Sequence, residues 1–325
     1  MLKRRIKAII VIIAFQTLAF CQEEAKKNDG KKVLLYENGT WLNADSIPFH
    51  NIKDSSILKL EIPKTNSKAK IITHTGYSLL YNEIHEQADW VAYELTKEET
   101  IKLYERTNKF ILDPKVNTIT ASYSDYKGSG YDRGHLAPAS DMGWSSIAMK
   151  ESFYYSNMSP QIPSFNRGIW KKLEELVRTW AVENNKLYIV TGPVLKNELK
   201  LIGNNKVSVP KYYYKVILDF RQPSIKGIGF IIPNLGSKEH LNNYAVTIDS
   251  VEKFSGIDFF PLLQDKQENF IESTLCIECW TWSSKSTNKI SDNKTALSTH
   301  CTGTTKKGKR CKRMTKNENG RCFQH

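Results

Sequence analysis

The stretch Tyr131-Asp132-Arg133-Gly134-His135-Leu136-Ala137-Pro138-Ala139 decides how the rest of the chain is read. It is followed by Ser156-Asn157-Met158-Ser159-Pro160-Gln161, and then by Phe165-Asn166 running through Trp170 to Leu173-Glu174. A histidine, an amide and a carboxylate in this order are the parts that metal-assisted hydrolysis of a phosphodiester requires. That chemistry needs an activated water, neutralised phosphate charge and a stabilised leaving oxygen. A neutral imidazole is the natural base near neutral pH, which suits His135. A hard cation such as Mg²⁺ prefers oxygen and keeps several waters, so the one amide oxygen of Asn166 is enough as a direct ligand. If Asn166 opens a helix, Glu174 lies about two turns on and shares its face. It can then hold metal-bound waters from behind. Arg178 falls on the same face again, where a guanidinium can fork onto a phosphate.

Taken singly, each residue has a plainer reading. His135 alone is a structural histidine, Asn166 alone a helix N-cap, and Glu174 with Arg178 an ordinary surface pair. The ordered set is what carries the inference. At these residues the chain closely resembles the DNA/RNA non-specific endonucleases, which carry a ββα-metal (His-Me finger) site. The resemblance runs over about residues 60–282. It implies His135 as general base, Asn166 as direct Mg²⁺ ligand (Mn²⁺ being the alternative ion) and Glu174 as the carboxylate that orients metal-bound water. It implies Arg178 as a phosphate-binding arginine, with Arg133 and Asn157 as polar residues around the site. Arg106, in Arg106-Thr107-Asn108-Lys109-Phe110, matches an upstream phosphate-contacting arginine on a looser motif. Arg106, Arg133 and Arg178 are thus the substrate-binding set, and all six side chains other than Asn166 are candidates for the catalytic group. Asp132 is expected to orient backbone or Arg133 rather than to touch metal. The partners implied are DNA and RNA, cut without regard to sequence to leave 5′-phosphate ends. No small-molecule cofactor is called for.

Composition is that of a globular protein, with 25% charged and 40% hydrophobic residues over 325 positions. Of the formal charge of +13, residues 1–21 carry +4 and residues 301–325 carry +7, which leaves +2 for residues 22–300. The body is therefore nearly neutral, and its nucleic-acid affinity must come from a local patch. The tail is either a salt-sensitive grip on phosphates or a merely solvated segment.

Residues 1–21 read as an export signal: Lys3-Arg4-Arg5 and Lys7 precede an apolar run to Cys21 that is short for a membrane span. Cleavage after Cys21 and release to the periplasm or outside is expected first. Lipid anchoring through Cys21 comes second, and an uncleaved anchor third. Residues 22–57 are expected to hold a polar linker and a small hairpin around Asn38-Gly39. Residues 58–282 are the nuclease domain, expected to be α+β with a central, mostly antiparallel sheet flanked by helices. Strands are expected over 72–81, 88–95, 187–191, 212–220 and 227–233, and helices over 169–184 and 246–254.

Cys276 and Cys279 are read as a close disulfide or two thiols, with half of a zinc site less favoured. Residues 283–300 form a Ser/Thr/Asn/Lys-rich linker. Residues 301–325 carry Cys301, Cys311, Cys322 and His325, a complete tetrahedral Zn²⁺ set that resembles small Cys₃His zinc modules appended to nucleic-acid enzymes. So short a segment needs a metal or disulfides to fold, and both readings stay open. A competing functional reading is a non-catalytic envelope protein that binds nucleic acid through this tail. A phosphodiesterase for small or lipid phosphates is a third.

Overall fold

Strand alternation gives the main sheet two apolar faces. In the run from Trp90 to Tyr93, Val91 and Tyr93 enter one core, while Trp90 and Ala92 enter the other. The computed structural model describes residues 59–65, 70–196, 198–221 and 225–282, the backbone of three upstream strands, and parts of the tail (299–304, 308–312, 314–315 and 321). Two compact units, residues 1–284 and 285–325, divide the chain.

In the first unit, β1 (Gln22–Lys26), β2 (Lys32–Tyr36) and β3 (Trp41–Asn43) form a small antiparallel sheet. The hairpin expected here is present as β2–β3. Asn38 and Gly39 lie outside the described residues, and Gln22–Lys26, expected as linker, is a strand. Next come β4 (Ile72–Thr73), β5 (Ser78–Asn82), β6 (Gln87–Thr96), α1 (Tyr123–Tyr126), β7 (Asp132–His135), α2 (Ser146–Glu151) and β8 (Met158–Gln161). A π-type turn, Phe165–Trp170, leads into α3 (Lys171–Asn184). Then follow β9 (Lys186–Pro193), β10 (Lys200–Ile202), β11 (Val207–Val209), β12 (Tyr212–Asp219), β13 (Lys226–Pro233), β14 (Ala245–Val246), α4 (Ile248–Ser255) and α5 (Asp265–Ser273).

Among the described residues the largest sheet has seven strands in the order β14-β13-β12-β9-β6-β5-β4, with every pairing antiparallel. α3 covers one face through Leu173, Leu176, Val177 and Trp180. α4 and α5 cover the other through Ile248, Val251 and Ile271. Burying each such side chain stabilises the fold by about 1.5–3 kcal/mol. The segment after α5 belongs to the first core: Trp280 and Trp282 pack on Trp180 at 4.5 and 5.6 Å between ring centres, and Cys276 is disulfide-bonded to Cys279. That settles the expected thiol pair as a disulfide. Among the described residues no helix is long and apolar enough to cross a membrane.

β12 breaks its own pattern in a way that matters below. Tyr213 and Ile217 face the α3 side, and Lys215 falls between them, fully buried. In the second unit, β15 (Thr299–His300) pairs with β16 (Met314–Thr315), and Cys301 and Cys311 lie buried together. Cys322 and His325 lie outside the described residues, so the four-ligand reading of the tail is not observed as a set.

Candidate active site

β7 and β8 form an isolated antiparallel pair that runs from Asp132 opposite Gln161 to His135 opposite Met158. Strand alternation puts Arg133 and His135 on one side of it. Gly134 points the other way, where a Cβ would collide with the Gln161 side chain, so the glycine between them is required by packing. With α3, the pair makes up the ββα unit expected from the sequence.

Asn157 holds the turn that follows His135. Its Oδ1 accepts from the amide of Ala137 at 2.9 Å, and its Nδ2 donates to the carbonyls of Ala137 (2.9 Å) and Ser152 (2.8 Å). The amide of Leu136 also donates to the Asn157 carbonyl at 3.0 Å. Asn157 is fully buried and fully engaged with backbone. Expected as a polar residue around the site, it is placed here as a positioning residue that fixes the backbone after His135. Behind it, the Ser156 hydroxyl donates to buried Asp113 at 2.6 Å, and Asp113 also binds the His74 ring at 2.8 Å and accepts from the Lys115 amide at 2.9 Å. Burial works to raise the Asp113 pKa, but these hydrogen bonds outweigh it and hold the group below its ordinary value.

His135 is walled by two aromatic rings, Phe153 edge-on at 4.9 Å and Phe110 at 5.9 Å. Each ring carries an arginine: Arg106 lies over Phe153 at 5.1 Å, and Arg133 over Phe110 at 3.9 Å. The sequence placed both arginines near the site, but not the rings that fix their planes. His135 Nε2 is buried and accepts or donates no hydrogen bond among the described residues. Burial first, then the positive charges of Arg106 and Arg133, lower its pKa to about 3. The imidazole is thus neutral at working pH, and its second nitrogen is uncommitted.

Asn166 sits in the π-type turn rather than at an α-helix N-terminus. Gly168, with φ −106° and ψ −110°, kinks that turn before α3 begins. Such turns place one extra residue per turn, and they recur at functional sites. Phe165 anchors this one by stacking on Tyr213 at 5.3 Å. The Asn166 Nδ2 donates to Asp132 Oδ2 at 2.9 Å, which orients the amide. Asp132 also takes a forked pair from Arg167 at 2.8 and 2.6 Å. Its side-chain partners are therefore Asn166 and Arg167, where backbone or Arg133 was expected.

Glu174, half-buried on the first turn of α3, takes no hydrogen bond among the described residues. Burial pushes its pKa up to about 7, against the opposing pull of Lys215, Arg178 and Arg106 and with the repulsion of Asp141. Arg178 does not pair with Glu174. It donates to the buried Asp141 at 2.7 Å, and Tyr93 donates to the other oxygen of Asp141 at 2.9 Å. Arg178 is therefore tethered by one nitrogen at the edge of the cleft, a firmer mounting than the free fork expected. Lys215 lies beneath, its Nζ without a hydrogen bond and 5.0 Å from the face of Trp170. Burial brings its pKa down to about 8. Lys215, Asp141, Asp113, Phe110 and Phe153 are the residues that the sequence reading missed. A lysine at an inward position of a buried strand was the one available signal.

A model of the DNA/RNA non-specific endonucleases matches residues 55–266. The chain belongs to that family. It is 34% identical over 223 residues to the mitochondrial nuclease EXOG of Danio rerio, covering 63% of this chain and 64% of the relative, so it spans less than two thirds of that protein. It is 36% identical over 226 residues to nuclease C1 of Cunninghamella echinulata var. echinulata, covering 64% of this chain and 88% of the relative. A chain in the crystal structure of the EndoG/EndoGI complex, described as showing the mechanism of EndoG inhibition, superposes with a TM-score of 0.61. That match has 30% identity and covers 66% of this chain and 93% of the other. The endonuclease fold expected from the Asp132–His135 segment is thus the fold of this chain. In it, the ββα unit sits on the α3 face of the sheet.

Proposed function

We propose that this endonuclease-family chain hydrolyses phosphodiester bonds of DNA and RNA without sequence specificity and with a divalent metal. The observation that carries this reading is the neutral, uncommitted His135 imidazole, set between two ring-mounted arginines and joined to the Asn166 turn through the β7–Asp132 contact.

The donor set fits a hard cation such as Mg²⁺, or Mn²⁺ in its place. Asn166 Oδ1 and the Glu174 carboxylate are both oxygen donors that carry no hydrogen bond among the described residues, and Asn166 is already oriented by Asp132. When bound, such an ion supplies charge neutralisation at the phosphate and the leaving oxygen. Asn166 would hold it directly, and Glu174 through water.

His135 takes the proton of the attacking water. Arg106 and Arg133 receive the phosphate. Their charges depress His135 in the free protein, so a bound phosphate that neutralises them also returns basicity to the imidazole that must use it. Arg178, held by Asp141, adds a third cation at the Glu174 end. The sequence calls for no base-reading element, so cleavage is expected to follow backbone geometry and groove access.

Export is the reading best suited to residues 1–21 and to the Cys276–Cys279 disulfide, with lipid anchoring through Cys21 as the alternative. In the tail, the Gly303 amide donates to Cys301 Sγ at 3.3 Å, a contact that favours a thiolate and hence Zn²⁺ over a disulfide. The test is digestion of supercoiled plasmid and total RNA by the purified protein, with Mg²⁺ or with excess EDTA. Degradation of both only with metal supports the proposal. DNA binding without cleavage across several divalent ions overturns it in favour of a binding protein.

A further inference from the structure

The face of the sheet away from His135 carries carboxylates that the proposed chemistry does not use. Asp249 and Glu252 lie on α4, and Glu272 lies near the end of α5. One oxygen from each lies within 4.8 Å of the others. These residues form a graded set: Asp249 is exposed, Glu252 half-buried, and Glu272 only 6% exposed. Glu272 Oε1 is buried and has no hydrogen-bond partner among the described residues, so an acceptor is aimed into the cluster with nothing to accept from. Glu252 is fixed in place by the Phe259 amide, which donates to its Oε1 at 2.7 Å. Asp258 and Glu268 add further negative charge around the set. The nearby cation Lys64 is spent on Asp258, 2.9 Å away at an exposed edge.

We propose that Asp249, Glu252 and Glu272 form a second divalent-cation site, distinct from the Asn166 site, that ties α4 to α5. All donors are oxygen, which selects a hard ion. Oxygens on one Ca²⁺, at roughly 2.3–2.6 Å from it, lie at most about 5 Å apart, whereas Mg²⁺ at roughly 2.0–2.1 Å spans at most about 4 Å. The separations, within 4.8 Å, lie nearer the reach of Ca²⁺ than that of Mg²⁺. Three carboxylates this close cannot all ionise without a counter-charge. The ion has a structural role: Ile248 and Val251 of α4 and Ile271 of α5 pack on Leu80 and Trp90, on the opposite side of the sheet from Trp170 and Glu174. Its occupancy therefore raises stability by mass action and leaves the hydrolytic groups untouched.

Calorimetric titration of Ca²⁺ into the EDTA-stripped full-length protein tests this, with binding as the readout whether or not the chain cuts DNA. Asn166→Ala isolates the proposed site, and it is expected to bind Ca²⁺ and to gain thermal stability from it. Adding Asp249→Asn and Glu272→Gln to that variant is expected to weaken this binding at least tenfold and to abolish the gain. Glutamine keeps the size and shape of glutamate, so a Tm in EDTA no lower than that of Asn166→Ala certifies folding, and Asp249→Asn alone, at an exposed position, provides a second folded variant with weakened binding. Absence of Ca²⁺ binding in Asn166→Ala, or equal affinity with and without the two further changes, overturns the proposal.

Discussion

Two regions on the same side of the sheet treat buried charge in opposite ways. In the bracket around β7 and β8, every carboxylate is saturated with hydrogen bonds: Asp113 by His74, Ser156 and the Lys115 amide, and Asp132 by Asn166 and Arg167. Both sit below their ordinary pKa, because hydrogen bonding overrides burial. On the cleft floor, Glu174, Lys215 and His135 Nε2 have no hydrogen bond among the described residues, and burial drives each toward its neutral form. Unsatisfied buried polar groups cost stability and persist where they are needed for something else. The bracket holds geometry, and on the proposed function the floor is what would take water, cation and phosphate.

The sharpest way to break this comparison is at His135. His135→Ala is expected to lower kcat/KM by about three orders of magnitude or more, roughly 4 kcal/mol of barrier, in plasmid cleavage with Mg²⁺. Its urea midpoint should move little, since the imidazole contributes no hydrogen bond through Nε2. A loss of under tenfold would mean that another group is the base. The bracket predicts the reverse pattern. Asp113→Ala removes a fully bonded buried carboxylate and strands His74 and Ser156, at a cost of about 3 kcal/mol in urea denaturation. The fraction still folded should cut DNA at close to the wild-type rate. If activity collapses while stability holds, the division between the regions is wrong.

Lys215→Met sharpens the division, because it replaces an unpaired buried cation with an apolar side chain of similar length against Trp170. Stability is expected to rise by about 1–2 kcal/mol, as when other buried charges are replaced by well-packed apolar groups. Activity should fall about tenfold near neutral pH, because Glu174 loses the positive charge that most opposes its protonation. A variant more stable and fully active would make Lys215 a mere packing residue.

How much of this was legible in the chain follows the same line. α3 could be read from Leu173, Leu176, Val177 and Trp180, and the main strands from their alternation, because burial imprints a period on apolar residues. The family could be read from the distinctive order of His135, Asn166 and Glu174, and a model of that family matches residues 55–266. The bracket could not: Asp113 and Asp141 are lone acids in irregular segments, and only the fold brings them to Ser156 and Arg178. Asn157 could be read only as a polar residue around the site, because an amide in a motif gives no sign of where its hydrogen bonds go. The π-type turn was read as ordinary helix, since the extra residue at Gly168 leaves no mark on the apolar period. α5 was missed because its buried positions, Gln267, Ile271 and Glu272, are mostly polar.

The pH-dependent effect is also the most specific to the cleft floor. Glu174 has a pKa of about 7 in the folded protein and an ordinary carboxylate value near 4.5 when unfolded. Between those values the unfolded chain is ionised at this position while the folded one keeps its proton. The folded state then binds more protons, so stability falls as pH rises through this window and levels off above it. Glu174→Gln cannot titrate and escapes this loss. In EDTA, its Tm should match wild type near pH 4.5 and exceed it by a widening margin up to about pH 7, equivalent to about 3 kcal/mol at the plateau. Saturating Mg²⁺ should narrow the margin, because a cation near Glu174 favours its ionised form in the folded state. For Asp132, whose folded pKa is lowered, the sign is opposite: Asp132→Asn should lose stability relative to wild type as pH rises out of the acid range. Asp132, bonded to Asn166, and Glu174, the partner proposed for the same cation, would then show opposite pH slopes in the same protein. A Glu174→Gln margin independent of pH would place Glu174 among the satisfied groups, and the cleft floor would no longer differ from the bracket.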